Sequence, residues 1–194
     1  MKLYYAPGAC SLASHIVGSE GGLKLELEKV DLKEHKTESG QDFYGINPKG
    51  YVPALALDDG SVLTENVALL TFLGDKADLT PKGADRYRLL EWLAFITSEV
   101  HKSFGPLFAQ APDDIAAKAR EKILKRLGFI EERMAGGYLM GAAFSPADAY
   151  LYVMLRWCEK MGIDTAALPR LTAFKARMAA RPGVRAALTA EGIA

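Results

Sequence analysis

Residues 2–16 read KLYYAPGACSLASHI, and the order of residue types in this stretch sets the architecture expected of the N-terminal half of the chain. Residues 2–6, KLYYA, are apolar and aromatic in the manner of a short strand. Pro7-Gly8 makes a turn, and a helix is expected from about residue 10 to residue 19, where Gly21-Gly22 stops it. Strand, tight turn and helix in immediate succession are the opening of a βαβ unit. One of only two cysteines, Cys10, sits where that helix begins.

Working outward, LELEKVDL at 25–32 reads as the second strand. A polar stretch with a possible short helix covers 35–45. PALAL at 53–57, the turn Asp58-Asp59-Gly60 and SVLT at 61–64 form a hairpin, and a helix is expected over 65–76. The order predicts a small mixed sheet with helices packed on it. After the polar segment 78–85 the strand signals stop. Residues 84–108 predict one long helix with Leu89, Leu93, Ile96, Val100 and Phe104 on a single stripe. Further helices are expected over 115–134, 145–160, 168–180 and 184–191. The chain therefore divides into an α/β domain, 1–78, and an all-helical domain, 84–194.

Composition narrows the function. The 194 residues carry 24 basic and 24 acidic side chains, which gives no footprint for nucleic acid. Residues 1–78 hold 7 basic and 12 acidic groups and the remainder 17 and 12, an asymmetry that fits two units. No apolar run is long enough to span a bilayer, and the N-terminus lacks a secretory pattern. Cys10 and Cys158 are too few for a disulfide framework, so free thiols in a reducing cytoplasm are expected. No metal-ligand spacing is present.

Several residues invite two readings. A thiol at a helix N-terminus faces unpaired amides that favour thiolate, or Cys10 is an inert small hydrophobe. Ala13 stands where a dithiol motif would place its second cysteine, which excludes dithiol cycling here. Val52-Pro53 is a strand start, or a cis peptide beside which an extended peptide can pair. Thr64-Glu65-Asn66 is a helix cap, or an amino-acid head-group site in which Glu65 accepts from an ammonium. His101 is a solvated helix histidine, or a donor to an anion in a stripe of small residues. Ser145, Pro146 and Asp148 form a structural helix start with a capping-box spacing, and Cys158 lies in the apolar helix beyond it.

LYYAPGACSLASHI, NPKGYVPAL, LTENVALLTFL, EWLAFITSEVHKSF and FSPADAYLYVMLRW together resemble the bacterial beta-class glutathione S-transferases over the whole chain. The resemblance implies a thioredoxin-like βαβαββα domain, an all-α second domain and a homodimer. It implies glutathione as cosubstrate and no prosthetic group. Cys10 matches the cysteine beside the glutathione sulfur, and His101 the histidine that approaches the same sulfur. Val52 before Pro53 matches the residue that pairs with the cysteinyl backbone. Glu65 and Asn66 match the pair that holds the γ-glutamyl end, and Ser98 lies where further glutathione contacts fall. His35 stands where relatives often have a lysine facing the glycyl carboxylate, and Ala94 replaces a polar residue.

The expectation is a transferase that conjugates reduced glutathione to small hydrophobic electrophiles, seated against Tyr5, Phe104, Phe108 and Trp157. For each of those four, core packing is the competing reading. The rival functions are a glutathione-dependent thiol–disulfide reductase and a non-catalytic carrier of hydrophobic ligands. No nucleic-acid or membrane partner is expected.

Overall fold

The computed structural model describes residues 1–194. By their contacts these form two units, one of residues 1–80 with 180–194 and the other of residues 81–179.

In the first unit β1 (Lys2–Tyr5) is central. It runs parallel to β2 (Glu26–Asp31) with Leu3 opposite Leu27, and antiparallel to β4 (Ala54–Ala56) with Leu3 opposite Leu55. A parallel pair needs a crossover, and α1 (Ser11–Glu20) supplies it. β5 (Val62–Thr64) adds to β4 through the expected hairpin, closed by Leu57 N–H on the Ser61 carbonyl at 2.8 Å. Gly60 takes φ +85° there, a conformation that costs glycine least.

The stretch 35–45 departs from expectation. Lys36–Thr37 forms a two-residue strand, β3, that pairs antiparallel to β2 at the edge of the sheet, and only Phe43–Gly45 makes a short 3₁₀ turn. The Asp42 carboxylate caps that turn through Tyr44 N–H at 3.0 Å. The turn buries Phe43 in a cluster with Tyr4, Ala6, Val30, Val52 and Ala54. The sheet order is β3-β2-β1-β4-β5.

Leu12, Ala13, Ile16 and Val17 of α1 and Leu69, Leu70 and Leu73 of α2 (Asn66–Lys76) are fully buried. Each such large aliphatic side chain contributes roughly 1.5–3 kcal/mol through removal from water. α8 (Pro182–Ala190) also packs on α1, which is why α1 is buried from Ser11 through Gly18. The sequence pattern assigns 180–194 to the helical domain, whereas contacts group this segment with the α/β unit. An amphipathic helix shows that it has an apolar face and not which core receives it.

The second unit holds α3 (Ala84–Phe95), α4 (Gly105–Phe108), α5 (Asp113–Arg133), α6 (Pro146–Lys160) and α7 (Pro169–Ala179). Leu89, Leu93, Ile96, Val100 and Phe104 are all fully buried, as their spacing predicts. The helix they share is not uniform: Ile96–Val100 is a π-helical turn, and His101–Phe104 continues as 3₁₀. α6 starts with the expected capping box, in which the Asp148 carboxylate accepts from Ser145 N–H at 2.8 Å and Oγ–H at 2.7 Å. No helix is long and apolar enough to cross a membrane.

Candidate functional site

In the first unit the turn before α1 is held by local bonds. Ala9 N–H donates to the Ala6 carbonyl at 3.0 Å, and the buried Ser11 hydroxyl donates to the same carbonyl at 3.3 Å. Gly8, at φ +68°, donates its N–H to Glu191 at 2.8 Å. This fixes Cys10 as the N-cap residue of α1. Its thiol is half-buried and donates to the Val52 carbonyl at 3.4 Å. Burial pushes the thiol up to about 12, against the opposing pull of the Cys10 and Ser11 amides.

The expectation of a thiolate at this helix start is therefore corrected. The helix amides do act in the expected direction, but loss of water around the sulfur outweighs them. Cys10 acts here as a hydrogen-bond donor.

The Val52-Pro53 peptide is cis, and Val52 and Pro53 are buried where the chain enters β4. Below this edge α2 begins at Asn66, with Glu65 and not Thr64 at the N-cap position. Thr64 ends β5 instead, and its hydroxyl accepts from Lys49 Nζ at 3.0 Å. Glu65 has φ +74°, left-handed for a non-glycine residue, and such strain is over-represented where chains bind ligands. Its exposed carboxylate accepts from Lys49 Nζ at 2.5 Å and from the Tyr51 hydroxyl at 2.7 Å. Bonding to Glu65 raises both the lysine and the phenol.

Asn66 is buried, and both ends of its side-chain amide are bonded within the unit. Nδ2 donates to the Cys10 carbonyl at 3.0 Å, and Oδ1 accepts from Ser14 at 3.2 Å. It ties the start of α2 to the start of α1, which leaves its backbone amide at the helix N-terminus for a ligand. His35, at φ +50°, stacks on Tyr44 with ring centroids 4.4 Å apart, and its Nδ1 is buried without a hydrogen-bond partner. Cys10, Val52, Glu65 and Asn66 are thus brought together around the first turns of α1 and α2. Tyr5 is buried to 8% exposure, with its ring 6.1 Å from that of His15.

In the second unit His101 comes directly after the π-helical turn, a distortion often found at functional positions. Its Nδ1 lies 2.6 Å from the hydroxyl of the fully buried Tyr150. Its ring meets Trp157 edge-on at 4.9 Å. Burial, with a smaller effect from Lys102, lowers its pKa to about 4, so the imidazole is neutral at pH 7. Phe104, fully buried, and Phe108, 47% exposed, both touch the Trp157 ring, at 5.4 and 4.8 Å. The three aromatic residues read from this half of the sequence form one cluster with His101. Ser98 is exposed, and its hydroxyl turns back to the Ala94 carbonyl at 2.9 Å.

The chemistry available is that of a bound peptide-like thiol. In the first unit, helix amides and a carboxylate suit an amino-acid head group, a strand entry suits an extended backbone, and the neutral Cys10 thiol can donate to a sulfur. No group of three or more His, Cys, Asp or Glu side chains is placed to hold a metal ion. Two partners of the site residues, Tyr51 and Tyr150, escape motif reading. Tyr150 has a faint sequence signal, because it precedes Trp157 by seven residues on the same helix face.

Residues 8–76 match the glutathione S-transferase N-terminal domain, and residues 91–182 match the glutathione S-transferase C-terminal domain. The chain is 43% identical to glutathione S-transferase GstA of Escherichia coli O157:H7, with each chain covered completely. The structure of a sphingomonad glutathione S-transferase complexed with glutathione is 50% identical, with both chains covered completely and a TM-score of 0.95. A beta-class glutathione S-transferase of Sphingomonas chungbukensis is 45% identical, again over all of both chains, with a TM-score of 0.96.

Proposed function

The chain belongs to the glutathione S-transferase family, alongside its bacterial beta class, and from that premise we propose that it conjugates reduced glutathione to small hydrophobic electrophiles. The observation that carries this reading is the 3.4 Å bond from the Cys10 thiol to the Val52 carbonyl. It means that the start of α1 and the entry to β4 converge. A cysteinyl backbone paired alongside Val52 puts its own sulfur next to Cys10 and the first amides of α1.

In this reading the γ-glutamyl carboxylate sits at the N-terminus of α2 and its ammonium joins Glu65, where Lys49 now lies. His35 and its Tyr44 stack face the glycyl carboxylate. The Cys10 thiol and His101 donate to the glutathione thiolate. That sulfur attacks the electrophilic carbon, the carbon–sulfur bond forms, and the leaving group departs with its electron pair. Phe108 and Trp157, backed by Phe104, supply the apolar seat for the electrophile, and Ser98 lies on the helix that carries His101. The active species is a homodimer acting in the cytoplasm.

A protonated Cys10 disfavours the rival thiol–disulfide route, which needs that sulfur as attacking thiolate. The test is conjugation of a chloronitrobenzene by purified protein together with its Cys10→Ala variant. Activity retained in the variant supports the proposal. Disulfide reduction abolished by the same change, with no conjugation, supports the reductase. Absence of glutathione binding at millimolar concentration overturns both. Light scattering that gives the mass of one chain overturns the dimer.

A further inference from the structure

We infer that Lys49 belongs to the head-group seat: an incoming α-amino-acid zwitterion opens the Lys49–Glu65 ion pair, giving its ammonium to Glu65 and its carboxylate to Lys49. This exchange rests on the proposed seating of the γ-glutamyl end at Glu65 and the N-terminus of α2. All the residues concerned lie in the first unit.

Two donors meet on one oxygen of Glu65. Lys49 Nζ reaches Oε1 at 2.5 Å and the Tyr51 hydroxyl reaches it at 2.7 Å, while Nζ also donates to Thr64 Oγ1 at 3.0 Å. The two donors differ in kind. Tyr51 is uncharged, and its bond to Glu65 holds the phenolic proton more firmly. Lys49 carries the charge that a ligand ammonium duplicates. Tyr51 can therefore stay and keep the carboxylate aimed while Lys49 turns away.

The lysine has a fixed base and a free arm. Asn47 Oδ1 accepts the Lys49 N–H at 3.2 Å, and Asn47 Nδ2 donates to the Tyr51 carbonyl at 2.6 Å. Gly50, at φ +72°, closes the turn with its N–H on the Asn47 carbonyl at 2.8 Å. Beyond that turn runs a flexible four-carbon stem, with the lysine side chain 45% exposed and that of Glu65 52%. Ion pairs this exposed are weak, so opening this one costs little.

The seat is short of negative charge at one point only. No side chain caps α2, and its first turn carries no acidic residue, so its leading amides hold no carboxylate of the chain. Lys49 Nζ stands against Thr64 and Glu65, the two residues that lead into those amides. Residues 1–78 otherwise carry 7 basic and 12 acidic groups, so an anionic ligand needs a local cation. A carboxylate brought to the amides gains Lys49 as a second, charged partner. One exposed pair opens and two form, which favours exchange over plain competition for Glu65.

A double-mutant cycle between protein and ligand tests this. Calorimetry at low salt compares S-methylglutathione with its analogue whose γ-glutamyl α-carboxylate is a carboxamide, on wild type, Lys49→Met and Lys49→Arg. Lys49→Met is expected to weaken S-methylglutathione by about three- to tenfold and to leave the carboxamide analogue within about twofold. Lys49→Arg is expected to recover most of the loss, and the gap between wild type and Lys49→Met to narrow at about 1 M salt. Tighter binding of S-methylglutathione by Lys49→Met makes the lysine a competitor and overturns the inference. An equal loss for both ligands overturns it too, because the effect then does not pass through the carboxylate. If wild type and Lys49→Met bind S-methylglutathione alike, the exchange fails while the functional proposal stands. If the wild type binds neither ligand, both fall.

Discussion

Glu191 and His15 meet in the interior of the first unit, with the carboxylate Oε1 3.0 Å from the imidazole Nδ1 across 176 positions of sequence. Oε2 of the same carboxylate accepts the Gly8 N–H, so a single C-terminal residue grips both α1 and the turn that presents Cys10. The side chains are 0% and 7% exposed, respectively. Glu191→Ala removes the carboxylate that a buried imidazole and the Gly8 amide both bond, and about 2–4 kcal/mol of stability is expected to be lost. Urea denaturation measures it. A loss below ~0.5 kcal/mol contradicts the clamp, because that is the range of a surface change.

Asp148 is the second buried carboxylate with a purely structural task. It accepts three hydrogen bonds, from Leu139 N–H and from both donors of Ser145. Asp148→Ala is expected to cost about 2–4 kcal/mol, above the ~1 kcal/mol of an exposed cap, because the stranded amides are buried. Thermal unfolding of Asp148→Ala beside Asp148→Asn distinguishes the cap from generic packing. The asparagine keeps part of the acceptor set and is expected to fall between the other two.

These two carboxylates differ in how legible they are. Ser145-Pro146-x-Asp148 announces itself within four residues, because a cap is local chemistry. Glu191 has no local partner, and nothing near it in sequence names His15 or Gly8. The same division runs through the rest of the chain. The strand-turn-helix opening, the Asp-Gly hairpin and the Leu89–Phe104 stripe are short-range patterns, and each is readable. The two-residue β3 is too short to carry a period, and the π-helical turn at Ile96–Val100 depends on packing with no residue signature. At Cys10 the sequence displays the helix amides but not the burial that overrules them. Asn66 shows the same limit: its place in the TEN motif suggests a ligand contact, while its amide side chain is spent on joining two helix starts.

A thiol held near 12 reacts slowly. Alkylation proceeds through thiolate, so at pH 8 unliganded protein is expected to react with iodoacetamide at Cys10 roughly 10³-fold more slowly than an exposed cysteine. The rate should climb about tenfold per pH unit across pH 7 to 9 without levelling, since the thiol stays mostly protonated throughout. Peptide mass mapping assigns the site and separates it from Cys158, which burial also pushes up to about 12. A rate that levels off below pH 8 contradicts the dominance of burial at Cys10.

His101 makes stability depend on pH in a defined window. Its pKa falls to about 4 in the folded chain, from 6.5, because burial penalises the charged form. Between those values the unfolded chain binds more protons than the folded one, so stability rises with pH there. The contribution is fully present above pH 6.5 and is lost as pH falls toward 4. Comparison of urea midpoints from pH 4 to pH 8 for wild type and His101→Gln isolates it. The wild type is expected to lose more stability on acidification than the variant, and parallel curves contradict a buried neutral imidazole. The same preference for the neutral form means that His101 adds no inflection to the activity profile between pH 6 and pH 8. A group that is neutral throughout that range can donate a proton to a hydrogen bond without ever carrying charge.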